Sequence, residues 1–260
     1  MTAALLDKLD PDGGQLLALL AAQLDDSMLD EIAEADYGED ADGHRAALVV
    51  IRDELRIPAP LEFEPQEVLA LTRWSDPDDP RWRGSDAAAR RGHVMRAFCC
   101  AVLLAAGADP ANPYGFDSEP DTLAQLVASL EVLGEPLQVA GLRFLAWRFA
   151  RLAIEVEERP FYLLAILVLC LEVRRDLAPH EIAELVAALV AEEAAVRSGG
   201  WAFPSASSSH WLLGLLSGQR HDVWRALGSH LPPLASTIAD EQVRRSVVEV
   251  ADRLGAARQK

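Results

Sequence analysis

Apolar residues recur every three or four positions through most of this chain, and no stretch alternates them with polar residues as a half-buried strand would. No βαβ rhythm appears either, so the pattern predicts an all-α protein with little or no β structure. Short helices are expected over Leu16 to Leu24 and Ser27 to Ala35, separated by Asp25 and Asp26, either of which can accept from free amide groups as an N-cap. A third is expected from His44 to Leu55, after a turn spanning Gly38 to Gly43. Ile57 to Pro65 holds three prolines in nine residues and must be extended, and Pro65 can open a short helix ending near Arg73. Trp74 to Gly84 (WSDPDDPRWRG) is a polar, turn-rich loop.

Ser85 or Asp86 then opens a long helix to about Ala106, with Met95, Phe98, Cys99, Val102 and Leu103 at helical spacing, Gly92 as a possible interruption and Gly107 as its stop. Pro120, Pro136, Pro160 and Pro179 each stand at the start of an apolar run of helical period, where the missing N–H costs nothing. Leu137 to Glu158 is apolar around most of its circumference, with Arg148, Arg151, Glu155 and Glu158 in a narrow polar strip. After Pro179, Ile182, Leu185, Val186, Leu189 and Val190 form one stripe, opposite Glu181, Glu184 and Glu192.

A low-complexity loop, WAFPSASSS, precedes a short helix near Ser209. Val223 to Leu231 is expected to be a helix stopped by Pro232 and Pro233. The last helix, about Asp240 to Ala257, turns Val243, Val247, Val250, Ala251 and Leu254 inward, with Glu241/Arg245 and Glu249/Arg253 spaced for ion pairs. About ten helices result, arranged as a globular bundle or a short α-solenoid-like array. The expected organisation is an acidic helical region over 1–84, ending in the linker and the Trp/Arg loop, and a main helical core over 85–260, the two able to form one continuous domain.

Composition adds scale. A chain of 260 residues buries roughly 75% of its unfolded surface and needs no disulfide or metal to hold a core. Cys99, Cys100 and Cys170 lie in apolar helical stretches and read as reduced core residues of a cytoplasmic protein. The N-terminal segment meets acids and a Pro-Asp-Gly-Gly breaker too early for a signal peptide. The most apolar run, Phe161 to Leu171, is too short to span a bilayer and reads as a central core helix.

Charge is distributed unevenly along the chain. Residues 1–86 hold 21 acids against 7 bases, and residues 87–260 hold 20 against 17. Between Lys8 and Arg45 there are eleven acids and no base, including Asp25, Asp26, Asp30, Glu31, Glu34, Asp36, Glu39, Asp40 and Asp42. Such a surface repels nucleic acid and anionic membranes and is the natural complement of a basic protein. A second constellation lies between Arg73 and Arg96, where Trp74, Arg81, Trp82, Arg83, Arg90, Arg91, His93 and Arg96 crowd together. Trp and Arg are common interface anchors. The same arginines could instead fold back onto the acidic first third.

Candidate chemistry is sparse. Asp25, Asp26, Asp30 and Glu31 superficially match the Asp-rich magnesium motif of isoprenoid cyclases, yet no second metal motif follows and acids suit a helix start. Asp40, Asp42 and Gly43 fit a calcium loop poorly, because its first and last positions would fall on Gly38 and Val49. Ser205, Ser207, Ser208 and Ser209 beside His210 lack a nearby orienting acid. Phosphate loops, dinucleotide fingerprints, nucleophile elbows and paired-cysteine zinc patterns do not occur.

His221 and Asp222 form a dipeptide that resembles the signature of the all-helical HD phosphohydrolases. That resemblance implies a divalent metal held with His180 or His210 and Asp240 or Asp252. The leading expectation is a non-catalytic protein-binding module without a cofactor. Its acidic residues, with Trp74, Arg81, Trp82 and Arg83 as anchors, would engage a basic partner such as a toxin, in the manner of an immunity protein or antitoxin. The alternatives are the metal-dependent phosphohydrolase using His221 and Asp222, and a scaffold or oligomer subunit.

Overall fold

The computed structural model describes residues 9–36, 41–56, 87–106, 119–152 and 159–173, and isolated residues between 178 and 252. Among them the structure is helical and contains no strand. Among the described residues seven helices have defined bounds: α1 (Gly14–Ala21), α2 (Asp26–Asp36), α3 (Ala41–Leu55), α4 (Ala87–Ala106), α5 (Glu119–Leu133), α6 (Leu137–Arg151) and α7 (Arg159–Val173). The chain divides into two compact units, one of Pro11–Arg151 and one of Met1–Asp10 with Leu152–Lys260. Helices from both sides of residue 85 share the first unit.

Local chemistry explains where the helices start and stop. Asp12 Oδ1 accepts from the Gly14 amide at 2.9 Å and from the Gln15 amide at 3.4 Å, satisfying free donors at the head of α1. Asp25 caps α2, its Oδ1 accepting from the Met28 amide at 2.9 Å and from the Ser27 hydroxyl at 2.6 Å. The third helix begins at Ala41, earlier than the expected His44, and takes Gly43 into its first turn. There Asp42 suits the positive end of the helix, and a glycine near the terminus weakens it less than one in the middle.

Gly134 joins α5 to α6. Its φ of 72° is open to glycine at little cost, its amide closes α5 onto the Leu130 carbonyl at 3.0 Å, and its carbonyl accepts from the Gln138 amide at 3.2 Å. Pro120 and Pro160 lie in the first turns of α5 and α7, as the sequence predicts, and Pro136 directly precedes α6. Helix α6 ends at Arg151 rather than near Glu158. Arg148, expected in its polar strip, is buried at 4% exposure, because α6 is enclosed on more sides than a one-stripe helix.

In the first unit α4 is central. It packs against α1, α2 and α5, while α1 also touches α3 and α6, α2 packs on α3, and α5 packs on α6. Every residue of α4 from Gly92 to Ala106 is buried, so Gly92 does not interrupt it and the expected apolar stripe widens to the whole circumference. Phe98 and Met95 fill the interior with Phe144 of α6 and with Leu16, Leu17 and Leu20 of α1.

In the other unit, Tyr162, Leu163, Ile166, Leu167, Leu169 and Cys170 of α7 are buried, as expected of a core helix. No helix among the described residues is long and apolar enough to cross a membrane. The Ala178 amide donates to Glu181 Oε2 at 2.9 Å, the reach-back half of a capping box. Leu185, Val186 and Leu189 are buried, in agreement with the predicted stripe. Leu231, Pro232 and Pro233 are all helical, so this proline pair does not stop a helix at Leu231. Near the C-terminus Glu241 pairs with both Arg244 and Arg245, the latter at 2.8 Å, and the exposed Val248 lies off the predicted inward stripe.

Candidate acidic docking surface

The acidic segment folds into α2 and α3, packed side by side. Amphipathic spacing buries Met28, Leu29, Ile32 and Ala33 of α2, with Leu48, Ile51 and Leu55 of α3, and leaves Asp26, Glu34, Asp42, Asp53 and Glu54 exposed. Asp25, Asp26, Glu34 and Asp42 are exposed, and Asp30 and Glu31 are half-buried. Asp36 belongs to α2. Glu39 and Asp40 lie outside the described residues, as do Trp74, Arg81, Trp82 and Arg83.

Three arginines reach into this surface. Arg91 of α4 donates from Nη1 to Asp25 Oδ2 at 3.1 Å and from Nη2 to Ser27 Oγ at 2.8 Å, and its Nε lies 3.6 Å from Glu31. Arg52 of α3 donates to Asp26 at 2.6 Å and to Asp53 at 2.9 Å. Arg45 pairs with Asp30. The consequence is electrostatic order rather than neutrality. Hydrogen bonds from Ser27 and the Met28 amide, then Arg91, hold the Asp25 carboxyl below its ordinary value, and Arg52 does the same for Asp26.

Counting the cap, α2 and α3 carry nine carboxylates (Asp25, Asp26, Asp30, Glu31, Glu34, Asp36, Asp42, Asp53, Glu54). Four arginines stand against them: Arg45, Arg52, Arg56 and Arg91. The surface keeps a negative excess. Glu34, Asp42 and Glu54 are exposed, and no ion pair engages them among the described residues.

The remaining members of the Arg73–Arg96 constellation do not form one patch. Arg90 donates from Nη1 to the Leu133 carbonyl at 3.1 Å, capping the C-terminus of α5, while Arg91 turns to the head of α2. His93 and Arg96 are buried at 6% and 4% exposure. His93 Nδ1 lies 3.4 Å from Ser129 Oγ of α5, and burial, reinforced by Arg96, holds the imidazole below its ordinary value. Successive residues of a helix point about 100° apart, so a sequence cluster of this kind fans out around α4.

Sequence reasoning missed one arginine, Arg56, whose Nη2 and Nε donate to the Leu24 and Ala21 carbonyls at 3.1 and 3.4 Å. It closes the C-terminal end of α1, and only its place just after α3 could have marked it.

Cys99, Cys100 and Cys170 are buried free thiols, and burial pushes Cys100 up to about 12. His221, Asp222, His210, Asp240 and the serines at 205–209 lie outside the described residues. His180 and Asp252 are exposed, and no group of three metal-ligating side chains occurs among the described residues. Compared with known proteins, the chain matches no family model, and no curated protein or solved structure is significantly similar to it.

Proposed function

We propose that this chain is a non-catalytic protein-binding module whose α2–α3 surface engages a basic protein partner. The observation that supports it most directly is the excess of nine carboxylates over four arginines on two adjoining helices, with Glu34, Asp42 and Glu54 left exposed. Arg45, Arg52 and Arg91 hold their carboxylates in fixed positions, so that less side-chain freedom is lost when a partner docks. Opposed charge speeds encounter and selects the partner. Neutralisation of a basic toxin, as by an immunity protein or antitoxin, is the role such a surface suits. The scaffold we infer for it is a multi-helix bundle or short solenoid-like array of about ten helices.

The test begins by capturing partners from the native host on the full-length chain, then measures the binding kinetics of the captured protein at two salt concentrations. Replacing Glu34, Asp42 and Glu54 together by Gln, Asn and Gln should slow association and flatten its salt dependence. Among the described residues these side chains take part in no ion pair, so the fold should be preserved. A basic partner that binds the triple variant at the same rate and with the same salt dependence would overturn the proposal.

A further inference from the structure

The chain enters the Pro11–Arg151 unit just before α1 and leaves it at the end of α6. These two points, some 140 residues apart in sequence, meet at one aromatic side chain. Trp147, near the end of α6, lies so close to Gly13 that a Cβ on that glycine would sit 2.5 Å from two of the ring carbons. Real Cβ atoms do not approach a ring so closely, so a methyl group there would force either the Gly13 backbone or the bulky indole, which lies against Phe144 and Arg151, to shift. The requirement for glycine here is one of space, since Gly13 itself has an ordinary helical φ of −78°.

The Arg151 guanidinium lies 4.5 Å from the centre of the same indole, and its Nη1 donates to the Trp147 carbonyl at 3.4 Å. Phe144 supports the indole at 5.7 Å between ring centres. One turn along the same face of α6, Arg143 donates to Gln15 Oε1 of α1 at 2.9 Å. Both ends of the unit thus converge on Trp147.

We propose that Gly13, Trp147 and Arg151 form a conformational clasp that holds the first and last turns of the Pro11–Arg151 unit together and lets them open only as a pair. Opened, it frees α1 and the end of α6 together, because each is the other's cover there. Helices α2 and α5, which lie between them in the chain and pack on α4, stay closed. The clasp makes the boundary of the unit a single cooperative element.

Hydrogen exchange of full-length variants tests this, read on peptides covering α1, the C-terminal half of α6, and α2 as the internal comparison. Gly13→Ala pushes a methyl group into the ring, and Trp147→Leu removes the ring. Each should raise exchange in α1 and in α6 by the same factor, about tenfold or more, with α2 unchanged. Arg151→Gln should raise both by a factor of about three, as expected for an exposed cation–π contact. The double variant Gly13→Ala/Trp147→Leu, in which the added methyl group no longer meets an indole, should match Trp147→Leu alone. Exchange that rises at one end without the other, rises equally in α2, does not rise at all, or adds up across the double variant would overturn the clasp.

Discussion

Along α4 every residue from Gly92 to Ala106 is buried, whereas α2 and α3 each bury one face and line the other with carboxylates. The difference lies in what holds each element. Around α4 the stabilising force is removal of apolar surface from water, and polar groups survive only where they are enclosed, as His93 is beside Ser129. Around α2 and α3 the apolar face fixes the position, and charges on the outer face are arranged afterwards, by arginines arriving from α3 and α4. The core therefore makes the fold, while the charged face is free to carry recognition without threatening it.

Perturbing the two regions should give effects of different size and different dependence on solution conditions. The largest is expected for Phe98→Ala in α4, where a fully buried ring is removed. It should cost about 3–5 kcal/mol in chemical denaturation, a large share of the stability of an ordinary domain. A loss of under 1 kcal/mol would mean that α4 is not the centre of the unit.

The second effect is pH dependent and also belongs to α4. Burial holds the His93 imidazole below its ordinary value, so the unfolded chain binds a proton near pH 6.5 that the folded chain does not accept. Stability should be full above about pH 6.5 and should fall as pH drops from there toward the folded value. His93→Gln should remove this slope in denaturation curves recorded across that range. The same burial keeps Cys100 protonated, so the native protein should not be alkylated at this thiol at pH 8, about four units below its value of about 12.

Smaller effects are expected on the charged face. The Asp25 carboxyl is held below its ordinary value in the fold, so its contribution is present above about pH 4 and is lost as pH falls through the folded value. Asp25→Ala should lower the thermal midpoint at pH 7 by much less than Phe98→Ala does, and should flatten the acid limb of the melting profile below pH 4. The smallest effect is expected for Arg45→Met, which removes the pair with Asp30 between two half-exposed side chains. Its thermal midpoint should stay within measurement scatter of the parent at 0.5 M salt, about three times physiological ionic strength. A large and salt-resistant loss would place this pair in the core's class.

Periodicity and terminal chemistry carried most of the helical framework. Asp25 could be named as a cap because a short oxygen-bearing side chain before an apolar run satisfies free amides wherever the rest of the chain goes. Pro120 and Pro160 marked helix starts for an equally local reason. The acidic character of α2 and α3 was legible for the same reason, since charge belongs to residues and not to their arrangement.

Other features depend on partners remote in sequence. Whether Arg91 faced a binding partner or the chain's own Asp25 was open until α4 came to lie against α2. Arg148, by type a surface residue, is enclosed because α6 is covered on several sides. Gly13 would pass in sequence for a loop residue, and its need to be glycine exists only because Trp147 arrives from the other end of the unit. Periodicity, caps and charge follow from a few neighbouring residues and are therefore readable before the chain folds. Enclosure, ion pairing and close approach are properties of pairs of distant surfaces, and only the folded chain brings those surfaces together.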